Sequence, residues 1–246
     1  MGFGGLYTSM SGLETAMQRL DTTAENLANV DTQGYASAQT DALSLPYIGA
    51  RPLPGADVMS LGEKADTQQG PLQRTGGAFD VAVEGGWLVV QGPGGKPTLT
   101  RSGQLALSGD GVLVTANGDP LLNSNGSPVS LPALKDLTIS ESGRISGVPD
   151  TSASNTPQVF AQLLIAQTPT TGVTPIGNSL YALPTGATPT PAVKASVRQG
   201  YLEGSNVDPV RSMMDLIDVS RGFQLQTQLV AQATKDSSQL DQVLLA

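Results

Sequence analysis

All 17 prolines of the chain lie between Pro46 and Pro209. Proline lacks a backbone donor and clashes with the preceding helical turn, so it is barred from helix interiors and from central strands. Its placement divides the chain in three. Residues 13–33 contain neither Gly nor Pro, and residues 210–246 contain only Gly222. Two helix-competent ends therefore flank a middle that must be built from short strands and turns.

Each end carries an apolar stripe with coiled-coil spacing. Leu6, Met10, Leu13, Met17, Leu20, Ala24 and Leu27 alternate steps of four and three, with Glu14, Arg19, Asp21 and Glu25 between them. This predicts a helix of ~35 Å at 1.5 Å per residue, with Gly34 as its expected stop. At the other end Asp208 is the expected N-cap and Pro209 the first helical residue. Leu216, Val219, Phe223, Gln226, Val230, Ala233, Ser237, Leu240 and Leu244 then repeat the same steps. Gly222 costs roughly 1 kcal/mol there relative to Ala, which a close helix–helix approach would justify. Each stripe can be buried only against another helix, either within the molecule or on a neighbour.

The middle alternates β-prone runs with turn signals. The runs are 79–83, 87–91, 99–101, 104–107, 112–115, 137–139, 144–146, 159–166 and 179–182. Gly85-Gly86, Gly109-Asp110-Gly111 and Asn117-Gly118-Asp119 separate several of them. Residues 37–69, with Pro46, Pro52, Pro54 and Gly55, read as an extended connector, and 185–191 as a surface loop. The expected fold is α+β: residues 1–36 and 201–246 form a discontinuous, coiled-coil-like helical core, and 70–200 an antiparallel β domain.

Composition narrows the chemistry. The chain has 246 residues and contains no histidine and no cysteine. That removes Ser-His-Asp and Cys-His catalysis, disulfides, Fe–S clusters and zinc sites built on those ligands. A net charge of −8 argues against a broad nucleic-acid surface. No apolar run reaches membrane-spanning length, and the first twenty residues lack the basic and apolar regions of a secretory signal. No catalytic, cofactor or metal residues are expected.

At residues 24–35 the sequence AENLANVDTQGY resembles the N-terminal signature of flagellar rod and hook proteins, ANNLANxxTxGY. Ala24, Asn26, Leu27, Ala28, Asn29, Thr32, Gly34 and Tyr35 match; Glu25 departs from the commoner polar residue, and Ala36-Ser37 replace a frequent basic one. DVAVEGGWLVVQ (80–91) is similar to the family's DVAIxGxGFFxV. LTRSGQLALSGDGVLVTANGDPLL (99–122) is similar to YTRxGxFxxDxxGxLVTxxGxxVL, with Leu99 in place of Tyr. GYLEGSNVDPVRSMMDLI (200–217) resembles GxLExSNVxxxxExxxMI through Glu203, Ser205, Asn206 and Val207. These blocks cover both ends and the middle in the family's order.

The resemblance implies a structural subunit of the bacterial flagellar rod. The length and the short connector after Tyr35 favour the proximal over the distal rod subunit. It further implies unprocessed export by the flagellar type III apparatus, a place in the rod within the periplasm, and polymerisation with itself and with other axial proteins into a helical shaft that transmits torque. Terminal helices would line the inner core, with the β domain outside. The assembly residues expected on this basis are Leu6, Met10, Leu13, Met17, Leu20, Asn26, Leu27, Asn29, Leu216, Val219, Phe223, Val230, Leu240 and Leu244. Each stripe residue equally suits an intramolecular core, and Asn26 and Asn29 equally suit a helix-ending turn. Ser205 and Asn206 are expected in the turn that leads into the C-terminal helix.

Four other signals in the sequence carry less. GPGGK (92–96) lacks the spacing of a phosphate loop and reads as a hairpin turn. Asp80, Glu84, Asp110, Asp119 and Glu141 would serve a carboxylate hydrolase only if two of them converged. A β-rich adhesin or phage structural protein would share the Gly-rich turns but not all of the blocks. Asn125-Gly126-Ser127 fits a glycosylation acceptor and reads here as a turn.

Overall fold

The computed structural model describes residues 3–46, 56–150, 156–169 and 172–244. It divides into two compact units that share the chain discontinuously. One takes Met1–Ala28, Ala38–Lys64 and Asp208–Ala246; the other takes Asn29–Ser37 and Ala65–Val207.

The first unit is built on two long helices, α1 (Phe3–Ala28) and α2 (Pro209–Leu244), which pack on one another. The start of α2 is capped as expected: Asp208 Oδ1 accepts from the N–H groups of Val210 (3.0 Å) and Arg211 (3.1 Å). The end of α1 differs from expectation. The helix stops at Ala28, six residues before Gly34. There Asn29 takes over as a turn residue, its carbonyl accepting from Thr32 N–H (3.1 Å) and its Oδ1 from the Thr32 hydroxyl (3.0 Å).

The segment expected as a connector contributes two strands, β1 (Ala38–Pro46) and β2 (Ala56–Ala65), which pair as a two-stranded sheet. Its Pro52, Pro54 and Gly55 lie outside the described residues. The ribbon is tied to one face of α1. Asn26 exchanges two 2.8 Å hydrogen bonds with the backbone of Ala38, and Thr22 Oγ1 lies 2.8 Å from Thr40 Oγ1 and 2.6 Å from Glu63 Oε1. A helical turn of four residues advances about 6 Å and two strand residues about 6.8 Å. Residues 22 and 26 can therefore meet residues 40 and 38 in turn.

The second unit is β-rich. Its strands are β3 (Leu72–Arg74), β4 (Val81–Glu84), β5 (Trp87–Gln91), β6 (Pro97–Thr100), β7 (Leu105–Leu107) and β8 (Leu113–Thr115). There follow β9 (Thr138–Ile139), β10 (Arg144–Gly147), β11 (Gln158–Gln162), β12 (Ile165–Ala166), β13 (Thr174–Gly177), β14 (Leu180–Ala182), β15 (Ser196–Gln199) and β16 (Tyr201–Glu203). The largest sheet runs β12-β5-β6-β14-β13. A second runs β11-β10-β9, and three pairs, β15-β4, β16-β3 and β7-β8, complete the set. The registered pairs of this unit are all antiparallel.

The glycine-rich segment after β5 makes the β5–β6 hairpin, with Gly94 and Gly95 at φ 70° and 74°. Edge strands β11 and β13 each carry a register shift, between Ile145 and Ser146 of the partner strand and between Pro175 and Gly177. Such irregularities blunt a sheet edge against stray pairing. The interior holds two apolar clusters. One centres on Val81, Leu88, Val90, Leu113, Leu121 and Ile145, the other on Trp87, Val89, Leu99, Val173 and Tyr181.

Candidate functional site

Residues far apart in sequence meet at one buried cluster in the β-rich unit. Arg101, just after β6, is its hub. Its Nη1 lies 2.8 Å from Glu203 Oε1 and donates to the Gln68 carbonyl at 2.8 Å; Nη2 donates to the Thr67 carbonyl at 2.6 Å. The guanidinium sits 4.2 Å from the Trp87 ring centroid, and Trp87 meets Tyr181 edge-on at 5.0 Å. The Arg101 and Glu203 side chains are only 6% and 2% exposed. Burial pushes the Glu203 carboxyl above the usual glutamate range, and the Arg101 charge and the Gly70 N–H (2.9 Å) offset part of that rise.

The N-terminal signature closes this cluster from the other side. Gly34 N–H donates to the Glu203 carbonyl at 2.8 Å, and Ala36 N–H donates to the Tyr181 hydroxyl at 2.6 Å. Gly34 has φ 66°, and a Cβ there would overlap the backbone of Arg101 and Ser102. The glycine is required by close approach and by left-handed geometry, not by helix termination. Asn206 finishes the closure. Its Oδ1 accepts from Ser37 N–H (2.7 Å), and its Nδ2 donates to the carbonyls of Asp66 (3.2 Å) and Gln68 (3.0 Å). Ser205 Oγ accepts from Val207 N–H at 3.2 Å. Asn206 is thus a tie between three chain segments as well as a turn residue.

The other candidate residues lie on the helices. On α1, Met10 and Met17 are 55% and 54% exposed, while Leu13, Leu20 and Leu27 are half-buried. Among the described residues of α1, the most deeply buried side chains are Thr15 and Thr22. Their hydroxyls are satisfied by the carbonyls of Ser11 (3.0 Å) and Gln18 (2.9 Å), one turn back. On α2, Leu216, Val219, Phe223 and Val230 share one half-buried face with Gln226. The side chains of Leu6, Leu240 and Leu244 lie outside the described residues. The close approach expected at Gly222 is not there: a Cβ at Gly222 would meet nothing within 4 Å. The tight contact falls instead at Gly12, where a Cβ would come 2.5 Å from Gln226 Nε2.

A second apolar track on α2, missed by the 4-3 count, is exposed. It comprises Val210, Met213, Met214, Ile217, Leu225 and Leu229. The signal was present as Met-Met and Ile beside the counted positions.

Three of the five carboxylates named for a hydrolase, Asp80, Glu84 and Asp119, are tied up locally. Glu84 pairs with Arg198 at 2.7 Å, Asp80 accepts from Thr75 at 2.5 Å, and Asp119 from Thr115 at 3.3 Å.

One unit holds interlocked signature segments and the other a pair of long helices with exposed apolar tracks, a combination that points to a structural class of protein, and comparison with known proteins gives its family. A model of the flagellar basal body rod protein family matches residues 6–35, the D1 domain of the flagellar hook protein FlgE/F/G matches 82–147, and the FlgEFG C-terminal model matches 198–243. The chain is 31% identical to the flagellar basal-body rod protein FlgF of Caulobacter vibrioides over 89% of each chain. It is 30% identical to FlgF of Salmonella typhimurium over 97% of each. The FlgG rod protein of Agrobacterium fabrum is 28% identical over 95% of this chain and 96% of its own.

The chain belongs to the flagellar basal-body rod proteins, and is most like those named FlgF. It is a structural subunit of the basal body, assembling with other axial proteins, and not an enzyme.

Proposed function

We propose that this chain is a subunit of the proximal rod, which polymerises into the helical drive shaft and transmits torque through it. The observation that carries this reading is the combination of FlgF likeness over nearly the whole chain with helices whose apolar tracks are uncovered. A shaft needs continuous lateral contact along its axis, and long helices provide it. In this reading α1 and α2 wind into a coiled-coil-like core with residues 70–200 outside it. Leu6, Met10, Leu13, Met17, Leu20, Leu27, Leu216, Val219, Phe223, Val230, Leu240 and Leu244 make assembly contacts, some while also facing the other helix of their own chain. Asn26 and Asn29 hold the end of α1 in shape for those contacts. The subunit leaves the cytoplasm through the flagellar type III apparatus and works in the periplasmic part of the rod, without cofactor, nucleic acid or membrane insertion.

Electron microscopy of basal bodies from cells lacking the gene tests this. Rods that stop within the proximal segment are expected. Complete rods with hooks attached would overturn the reading. Rods that begin normally but lack only their distal part would move it to the distal subunit, a role consistent with the FlgG likeness.

A further inference from the structure

We infer that the apolar stripe of α1 in one copy docks, parallel and in a single register, on the outer track of α2 in a neighbouring copy. This inference rests on the rod-subunit reading and names the contact through which two copies meet. Both tracks are on the surface of the helical unit. Met10, Met17, Val210, Met214 and Ile217 are all more than half exposed, and Leu13 and Leu20 are half-buried beside the two methionines.

The two tracks have the same step. Leu13, Met17 and Leu20 are spaced four and then three residues apart, as are Val210, Met214 and Ile217. With the helices parallel and Leu13 opposite Val210, Met17 comes opposite Met214, Leu20 opposite Ile217, and Ala28 opposite Leu225. Unbranched methionines at the centre suit a contact that must adapt to small changes in helix angle.

Charge selects the same register and direction. Glu14 then lies opposite Arg211, Arg19 falls between Asp215 and Asp218, and Glu25 comes beside Arg221. Asp21 opposite Asp218 is the one unfavourable pair. The antiparallel arrangement also aligns an apolar set, Leu13 with Ile217, Met17 with Met213 and Leu20 with Val210, but it sets Arg19 against Arg211 and brings Glu14 beside Asp215. Each copy carries both halves of the match on different helices. The contact is therefore heterologous, and repeating it yields a filament rather than a closed dimer.

The natural chain has no cysteine, so engineered thiols are its only ones. Cells producing Met17→Cys with Met214→Cys in one chain are treated with copper-phenanthroline, and the protein is followed on non-reducing gels. A ladder of dimer and higher species that collapses on reduction, and that neither single variant forms, is expected. Leu13→Cys with Val210→Cys tests the same register at a second level and gives the same ladder. Monomer alone in motile cells, or a fast-migrating internally bridged monomer, overturns the register while leaving the rod reading intact. Complete rods in cells lacking the gene would instead sink the rod reading itself. Should both cysteine pairs block assembly, exchange of charge decides. Glu14→Arg reduces motility and Arg211→Glu in the same chain restores it; no restoration overturns the pairing.

Discussion

Replacing Arg101 by methionine probes the buried cluster where its energetics are most exposed to error. The substitution removes the ion pair to Glu203 and two hydrogen bonds to carbonyls, at 2.6 to 2.8 Å, and lifts the cation from Trp87. Methionine keeps much of the apolar volume, so the cost is mainly that of leaving a carboxylate inside the protein with the Gly70 N–H as its remaining donor. Breaking one side of a buried pair costs about 3–5 kcal/mol. With a urea slope of about 2–3 kcal/mol/M, the unfolding midpoint falls by roughly 1–2.5 M. Trp87 is the only tryptophan and is fully buried, so its fluorescence reports this transition directly.

The pH dependence gives a second arm. The folded-state pKa of Glu203 is raised by burial. Its contribution to stability is therefore complete below the ordinary glutamate value, about 4.3, and is lost as pH rises through the raised one. Loss of Arg101 pushes the folded value higher still. The gap between Arg101→Met and the natural protein is thus smallest near pH 4 and widens toward neutrality. Adding Glu203→Leu to Arg101→Met should recover most of the loss at pH 7, because an apolar pair replaces a stranded charge. A penalty below about 1 kcal/mol, or one that does not change with pH, would refute the reasoning.

Three further outcomes are expected. Gly34→Ala forces a left-handed residue and a backbone overlap at Arg101-Ser102; it should cost at least about 1–3 kcal/mol in the same fluorescence assay, and a neutral result would mean the segment can move away. Gly222→Ala fills open space in a helix, so circular dichroism melting of the helical unit should show a gain of about 1 kcal/mol; a loss would place a tight neighbour there. Leu27→Asp should leave the Trp87 signal native while abolishing rod assembly, scored by electron microscopy; full-length rods would remove the α1 stripe from the assembly surface.

The two helices and most of the strands were legible because their signals are local. Proline placement, the Asp208-Pro209 start and the glycine turns all act within a few residues. The packed face of α1 was not legible in the same way. Hydrophobic spacing points to Met10 and Met17, yet the deeply buried positions are Thr15 and Thr22, whose hydroxyls are silenced by their own backbone. Gly222 misled for the opposite reason, since a glycine in a helix signals closeness only when something stands beside it. The Arg101 cluster could not be assembled from spacing at all. Its links join residues 102, 145 and 169 positions apart, and nothing local in Glu203, Tyr181 or Asn206 names its partner. The matching motifs marked Glu203 and Asn206 without saying what they touch, and Tyr181 lies outside every motif.

The interleaving of the two units has a kinetic consequence. A chain released N-terminus first presents α1 and the signature segment early, but neither unit can close on what has then emerged. The β-rich unit waits for β15, β16 and the Glu203–Asn206 ties; the helical unit waits for α2, the final segment. Such long-range closure is intrinsically slow. The order of residues thus holds the chain open until almost its whole length is free, and lets both units finish folding nearly together.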